Sequence, residues 1–133
     1  MGNRAVVTFD EYDPNGFGVY FHWNGGRDSI EGLLEATKRI MVGRMGDRSY
    51  AQARFVQAAT TLIPGNLSIG LGKCKDLDCD NYDNGLYVVD SATLEIKNRM
   101  FFEGEEQLNY DRDEFADEIV KAIHASAEVV ING

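Results

Sequence analysis

With 133 residues, 44% of them hydrophobic and 26% charged, the chain has the composition of one soluble globular domain, and residues 1–133 are read as a single unit. No apolar run reaches the length of a membrane span, and the N-terminus MGNRAVVTFDEYD has no apolar signal core, so the expected setting is the cytoplasm. The net charge of −9 is unevenly placed: seven Lys/Arg balance seven Asp/Glu from Met1 to Asn66, while six face fifteen from Leu67 to Gly133, which argues against direct nucleic-acid binding and for attraction to a basic partner.

Arg4 to Phe9 reads as a first strand, and Asp13-Pro14-Asn15-Gly16 as the turn of a hairpin into a second, Phe17 to Trp23. Within the second strand Val19, Phe21 and Trp23 alternate with Tyr20, His22 and Asn24, the period of a strand with one buried face. Gly25 and Gly26 then turn the chain. Asp28 and Glu31 have the spacing of a capping box for a helix whose apolar side is Ile30, Leu33, Leu34, Thr37, Ile40 and Met41. Gly43 and Gly46 interrupt it, and Asp47 or Ser49 caps a second helix that buries Ala51, Phe55, Ala58, Ala59 and Leu62 and stops at Pro64-Gly65-Asn66.

Leu67 to Leu71 and Leu86 to Val89 read as strands joined by a long polar hairpin connection, Lys73 to Gly85. A further strand places Leu94, Ile96, Met100 and Phe102 on one face and Lys97 and Arg99 on the other. Asp111 and Glu114 cap a last helix that buries Phe115, Ile119, Ala122 and Ile123, and Glu128 to Ile131 reads as an edge strand or a tail. The order ββααβββα points to an α+β fold, a mostly antiparallel sheet with helices packed on one face.

Three constellations could carry chemistry. The strand, glycine turn and helix start gather His22, Asn24, Gly25, Gly26, Arg27, Asp28 and Ser29, where converging N–H groups and the helix dipole suit a phosphate. This turn, NGGRDS, resembles the SGGxDS loop of the PP-loop ATP pyrophosphatases, which implies nucleotide or phosphate binding; Asn24 stands where that family has its first serine. Asp76, Asp78 and Asp80 stand at the first, third and fifth places of an oxygen-ligand cation loop, with Asp83 shortly after them, so a divalent cation is a candidate cofactor. The EF-hand pattern fails at Asn81, where a glycine is needed, and at Tyr87, where a bidentate Glu is needed. Cys74 and Cys79, far in sequence from His22 and His124, read as reduced structural thiols rather than zinc ligands.

The third constellation is acidic. From Asp76 to Glu118 there are fourteen acidic residues and three basic ones, interleaved with Tyr82, Tyr87, Phe101, Phe102 and Tyr110. Glu103, Glu105, Glu106, Tyr110 and Asp111 are the expected contacts to a basic partner.

The segments AVVTF, GVYFHWNGGRDSIEGLLE, LDCDNYDNGLYVVD and FFEGEEQ resemble a family of small proteins of bacteriophages, prophages and other mobile elements. That resemblance carries no activity, but it implies a phage setting, in which small acidic proteins block basic channels of host machinery, as anti-CRISPR proteins do. The expectation is a binding protein rather than an enzyme, one that antagonises a host nucleic-acid-handling or defence complex. The competing expectation is a nucleotide- or phosphate-binding protein using the NGGRDS turn. A homo-oligomeric structural protein, using exposed edge strands, is the third.

Overall fold

The computed structural model describes residues 3–62, 68–103 and 111–132. The expected Pro64-Gly65-Asn66 stop and residues Glu105, Glu106 and Tyr110 lie outside them. The elements are β1 (Ala5–Phe9), β2 (Phe17–Phe21), α1 (Arg27–Ile40), α2 (Arg48–Leu62), β3 (Ile69–Lys73), β4 (Leu86–Asp90), β5 (Glu95–Met100) and α3 (Arg112–Asn132), with one 3₁₀ turn, Cys74–Asp76, between β3 and β4. The fold is α+β. Its five-stranded sheet has the order β3-β2-β1-β4-β5.

The sheet is mixed, which corrects the expectation of consecutive antiparallel strands. β1 pairs with β2, β2 with β3 and β4 with β5 antiparallel, but the central pair, β1 with β4, is parallel. The expected hairpin between β3 and β4 is likewise overturned. β3 lies at one edge and β4 beside β1, so the 74–85 segment crosses the face of the sheet instead of turning back on itself. β1, AVVTF, is buried at all five positions, as a central strand covered on both faces is.

The helices cover one face. Ala5, Val7, Phe9, Val19, Phe21, Tyr87 and Val89 meet Ile30, Leu33, Leu34, Phe55, Ala58, Ala59, Ala116 and Ile119. Phe55 packs edge-on against Phe9 at 5.8 Å and Phe21 at 6.0 Å between ring centres; burial of such a ring stabilises by roughly 1.5–3 kcal/mol. On the opposite face the crossing segment makes a second, smaller core of Val6, Leu86 and Val88 with Cys74 and Cys79, edged by Tyr12, Leu77 and Met100. Its polar sequence hides three inward residues. The segment is tied down by bonds from Cys74 N to Gly16 O at 2.9 Å and Lys75 N to Pro14 O at 2.9 Å.

Burial pushes the Cys79 thiol up from its ordinary 9.0 to about 11. The folded chain therefore keeps a proton that the unfolded chain releases first, and this contribution to stability is complete below about pH 9 and is lost as pH rises towards about 11. Urea midpoints measured across that range should be level and then fall, and Cys79→Ala should flatten the descent.

Three local expectations are corrected. The N-cap of α1 is Gly26 and makes no side-chain cap bond; Asp28 lies inside the first turn and Glu31 pairs with Arg27 at 3.6 Å, so the expected capping box does not form. A register shift between Val88 and Val89 inserts Lys97 as an extra residue in β5. Beyond it the faces exchange: Ile96 packs with the helices, whereas Met100 packs in the smaller core and Arg99 turns to the helix side. Finally, 128–131 continues α3 rather than forming a strand. Elsewhere Asp47 caps α2 through Tyr50 N at 3.2 Å, and Asp111 caps α3 through Asp113 N and Glu114 N, both at 3.0 Å.

Candidate functional site

The NGGRDS turn is packed into the protein. Asn24 takes φ 61° and Gly25 and Gly26 are buried. Gly25 N–H donates to Asn3 O at 2.8 Å, and Gly25 O accepts from the Tyr87 hydroxyl at 2.8 Å. One donor that a phosphate would need is thus already bonded to β1's approach. Asp28, 6% exposed, accepts from Ser29 N at 2.7 Å, and its carboxylate at the helix start occupies the place where the dipole favours an anion. Ser29 is 1% exposed, and its Oγ is buried with no hydrogen-bond partner among the described residues. His22 is half-buried; its Nδ1 shares a bond with the Tyr20 hydroxyl at 3.0 Å, and its ring meets Trp23 edge-on at 4.8 Å. Trp23 itself, expected in the core, stands past the end of β2 and is 44% exposed. A groove of about 260 Å³ lies elsewhere, between α1 and β5, over a floor of Leu34, Leu94 and Ile96.

Sequence reading missed the pair beneath this turn. Tyr87, expected on an acidic surface, is fully buried, and burial pushes its phenol well above the ordinary range. Arg99 lies over the rings of Tyr87 and Phe102, 4.3 Å from each centre, and donates through Nη2 to Asn84 O at 3.0 Å. Burial lowers the pKa of this guanidinium. Nothing in β5's alternation marks Arg99 until the bulge is known.

The Asp loop is held by an amide and an arginine. Asn81 is fully buried: Nδ2 donates to Asp78 O at 2.9 Å and Gly85 O at 3.2 Å, while Oδ1 accepts from Asp83 N at 3.1 Å and Gly85 N at 2.9 Å. Asp83 accepts from Arg4 Nε at 2.8 Å, and Asp78 lies 3.5 Å from Arg4 Nη1. Asp76 and Asp80 point to solvent. Among the described residues no three His, Cys, Asp or Glu side chains are placed to hold a metal ion together. Asn81→Asp keeps the shape of the side chain, removes both donors and buries a carboxylate. The expected loss is about 3 kcal/mol, read as a fall of roughly 10 °C in Tm.

The same loop meets the chain after β5, where Glu103 N–H donates to Asp83 O at 3.0 Å. The junction exposes three aromatic rings, Tyr82 at 71%, Phe101 at 42% and Phe102 at 48%. Asp76, Asp78, Asp80 and Glu103, on the same two segments, are exposed as well. Asp111 is exposed and bonded as the cap of α3, whose Asp113 and Asp117 both pair with Arg39. No helix among the described residues is long and apolar enough to cross a membrane. Comparison with known protein families, with characterised proteins and with solved structures gives no significant match.

Proposed function

We propose that the chain is a binding protein that docks through its acidic, aromatic end on a basic surface of a partner, and that the partner is a nucleic-acid-handling or defence complex of a host cell. The observation that carries this reading is the exposure of Tyr82, Phe101 and Phe102, together with Asp78, Asp80 and Glu103, on the two segments that the Glu103 N to Asp83 O bond joins. Exposed rings inside a charged rim anchor an interface, and the rim sets its rate and specificity. Protein channels that hold nucleic acid are lined with Lys and Arg, so a carboxylate surface with aromatic anchors is a competitor for them. The resemblance to mobile-element proteins fits such a role.

The test uses an arginine-rich peptide as the probe, alone and in competition with duplex DNA. Tyr82→Ser is expected to weaken peptide binding by roughly 2 kcal/mol, about thirtyfold. Asp80→Lys with Glu103→Lys should slow association and reduce the salt dependence of binding. Peptide affinity unaltered by all three substitutions would discard the acidic end as the site. A second reading, phosphate or nucleotide binding at the NGGRDS turn, is favoured by the unpartnered Ser29 Oγ and opposed by the neighbouring Asp28 carboxylate.

A further inference from the structure

We propose that the chain associates head to tail with a second copy of itself, the 42–50 loop of one subunit docking on the acidic, aromatic end of the next. The rings and carboxylates at that end are those of the proposed function, and the loop is a separate surface. Its charge is the reverse of the rest of the chain. Residues 36–62 contain five basic side chains, Lys38, Arg39, Arg44, Arg48 and Arg54, against one acidic, Asp47.

The loop projects and is apolar at its tip. Val42 is 85% exposed, Met45 46% and Tyr50 41%. Gly43 and Gly46 hold it at φ +86° and +95°, and a Cβ at either would meet nothing within 4 Å. Around the tip stand arginines: Arg44 lies 4.3 Å above the Tyr50 ring, Arg54 lies 5.8 Å from it, and Arg48 reaches Asp10 at 3.4 Å. The pairs Arg44–Asp47 and Arg48–Asp10 have side chains 31–60% exposed and are weak, so their arginines can exchange partners at little cost.

The two surfaces belong to opposite ends of the sheet. Arg4, just before β1, bonds Asp83 of the acidic end, whereas Asp10, just after β1, bonds Arg48. The six steps between them in extended chain span about 20 Å. One subunit therefore cannot close its own two surfaces on each other, but two subunits can. Arg44 and Arg48 face carboxylates such as Asp80 and Glu103, and the Met45 thioether and Val42 meet the rings of Tyr82 and Phe102, contacts that sulfur and aromatic edges favour. The net charge of −9 opposes association over the whole molecule, but at physiological salt charges more than about 8 Å apart are screened and the local pairs survive. A contact of two different patches does not close on itself as a symmetric pair does. It builds a ring or a filament.

The experiment is sedimentation of the full chain over rising concentration at about 0.15 M and about 1 M salt, where the screening length falls to about 3 Å. The wild type should grow beyond dimers at the lower salt and shrink towards monomer at the higher. Arg44→Glu with Arg48→Glu should abolish growth and leave arginine-peptide binding intact, which separates this interface from the proposed function. Asp80→Lys with Glu103→Lys should also be monomeric alone. Mixed in equal amounts, the two variants should form pairs that stop at two, since each keeps one working surface. Val42→Ser with Met45→Ser, which leaves the charge unchanged, should raise the dissociation constant at least roughly tenfold. A wild type that stays monomeric, or oligomers that both charge-reversed variants form as well as the wild type, overturns the inference.

Discussion

Gly85→Ala is expected to cost about 4 kcal/mol, a large share of the roughly 5–15 kcal/mol that holds a domain of this size together. Gly85 has φ +66°, a region that side chains rarely adopt. Its added Cβ would stand 2.2 Å from Met100 O, 2.5 Å from Phe101 C and 2.6 Å from Phe102 N, all backbone atoms that cannot rotate away. The strain would reach three bonds that meet at this residue. Val6 N and Asn81 Nδ2 both donate to Gly85 O, at 2.9 and 3.2 Å, and Gly85 N donates to Asn81 Oδ1 at 2.9 Å. Together these bonds fix the start of β4 to β1 and to the Asp loop. Thermal unfolding should show a Tm lower by roughly 15 °C, and the exposed rings after β5 should lose their fixed relation to Tyr82, so arginine-peptide binding should fall with stability. A variant with unaltered Tm would mean that the chain after Met100 does not cross Gly85 as closely as described.

That crossing explains which parts of the fold the sequence discloses. Periodic patterns identify the elements: Ile30, Leu33, Leu34 and Met41 of α1's apolar side, Ala51, Phe55, Ala58 and Ala59 of α2, and the β1–β2 hairpin are where spacing puts them, while Ile40 is only half-buried. Pattern says little about partners. AVVTF reads as a strand whether it sits at an edge or the centre, and the parallel pairing of β1 with β4 depends on where the 74–85 segment travels. The clue to that path is chemical. Cys74, Leu77 and Cys79 are apolar residues inside an acidic stretch, and they are the ones that cover Val6, Leu86 and Val88. Alternation in β5 fails for a different reason, because one inserted residue, Lys97, reverses every side chain that follows.

The candidate sites divide along the same line. Acidic residues could be located by composition, and Tyr82, Phe101 and Phe102 do stand exposed among them. Tyr87, from the same aromatic series, faces the helices because it sits one residue from Leu86 in a strand covered on both sides. The basic loop escaped notice because counting charge over halves of the chain averages it away. Glu35 and Glu31 offset Lys38 and Arg39 in the sum, although Arg44 and Arg54 gather around Tyr50 and Arg48 stands nearby in the chain.

Gly25→Ala separates a glycine needed for packing from one needed for a ligand. An added Cβ would stand 2.5 Å from Asn3 O, 2.7 Å from Ala5 Cβ and 2.9 Å from Arg4 C, so the chain entering β1 would have to move. That movement would strain the bonds from Gly25 N to Asn3 O and from Asn3 N to His22 O, at 2.8 and 3.1 Å, and the one from the Tyr87 hydroxyl to Gly25 O. Overpacking against backbone and the weakened bonds together should cost about 3 kcal/mol, measured as a lower urea midpoint with no ligand present. Ser29→Ala supplies the contrast. Removing a buried hydroxyl that has no partner among the described residues should be neutral or stabilising by up to about 1 kcal/mol. If the turn holds phosphate, the same substitution should abolish the rise in Tm that inorganic phosphate or a nucleotide gives the wild type, since a ligand bound to the folded state alone stabilises by mass action. A wild type whose Tm ignores those ligands, with Gly25→Ala destabilised as described, makes the glycines the joint between β1, β2 and α1 rather than a phosphate site.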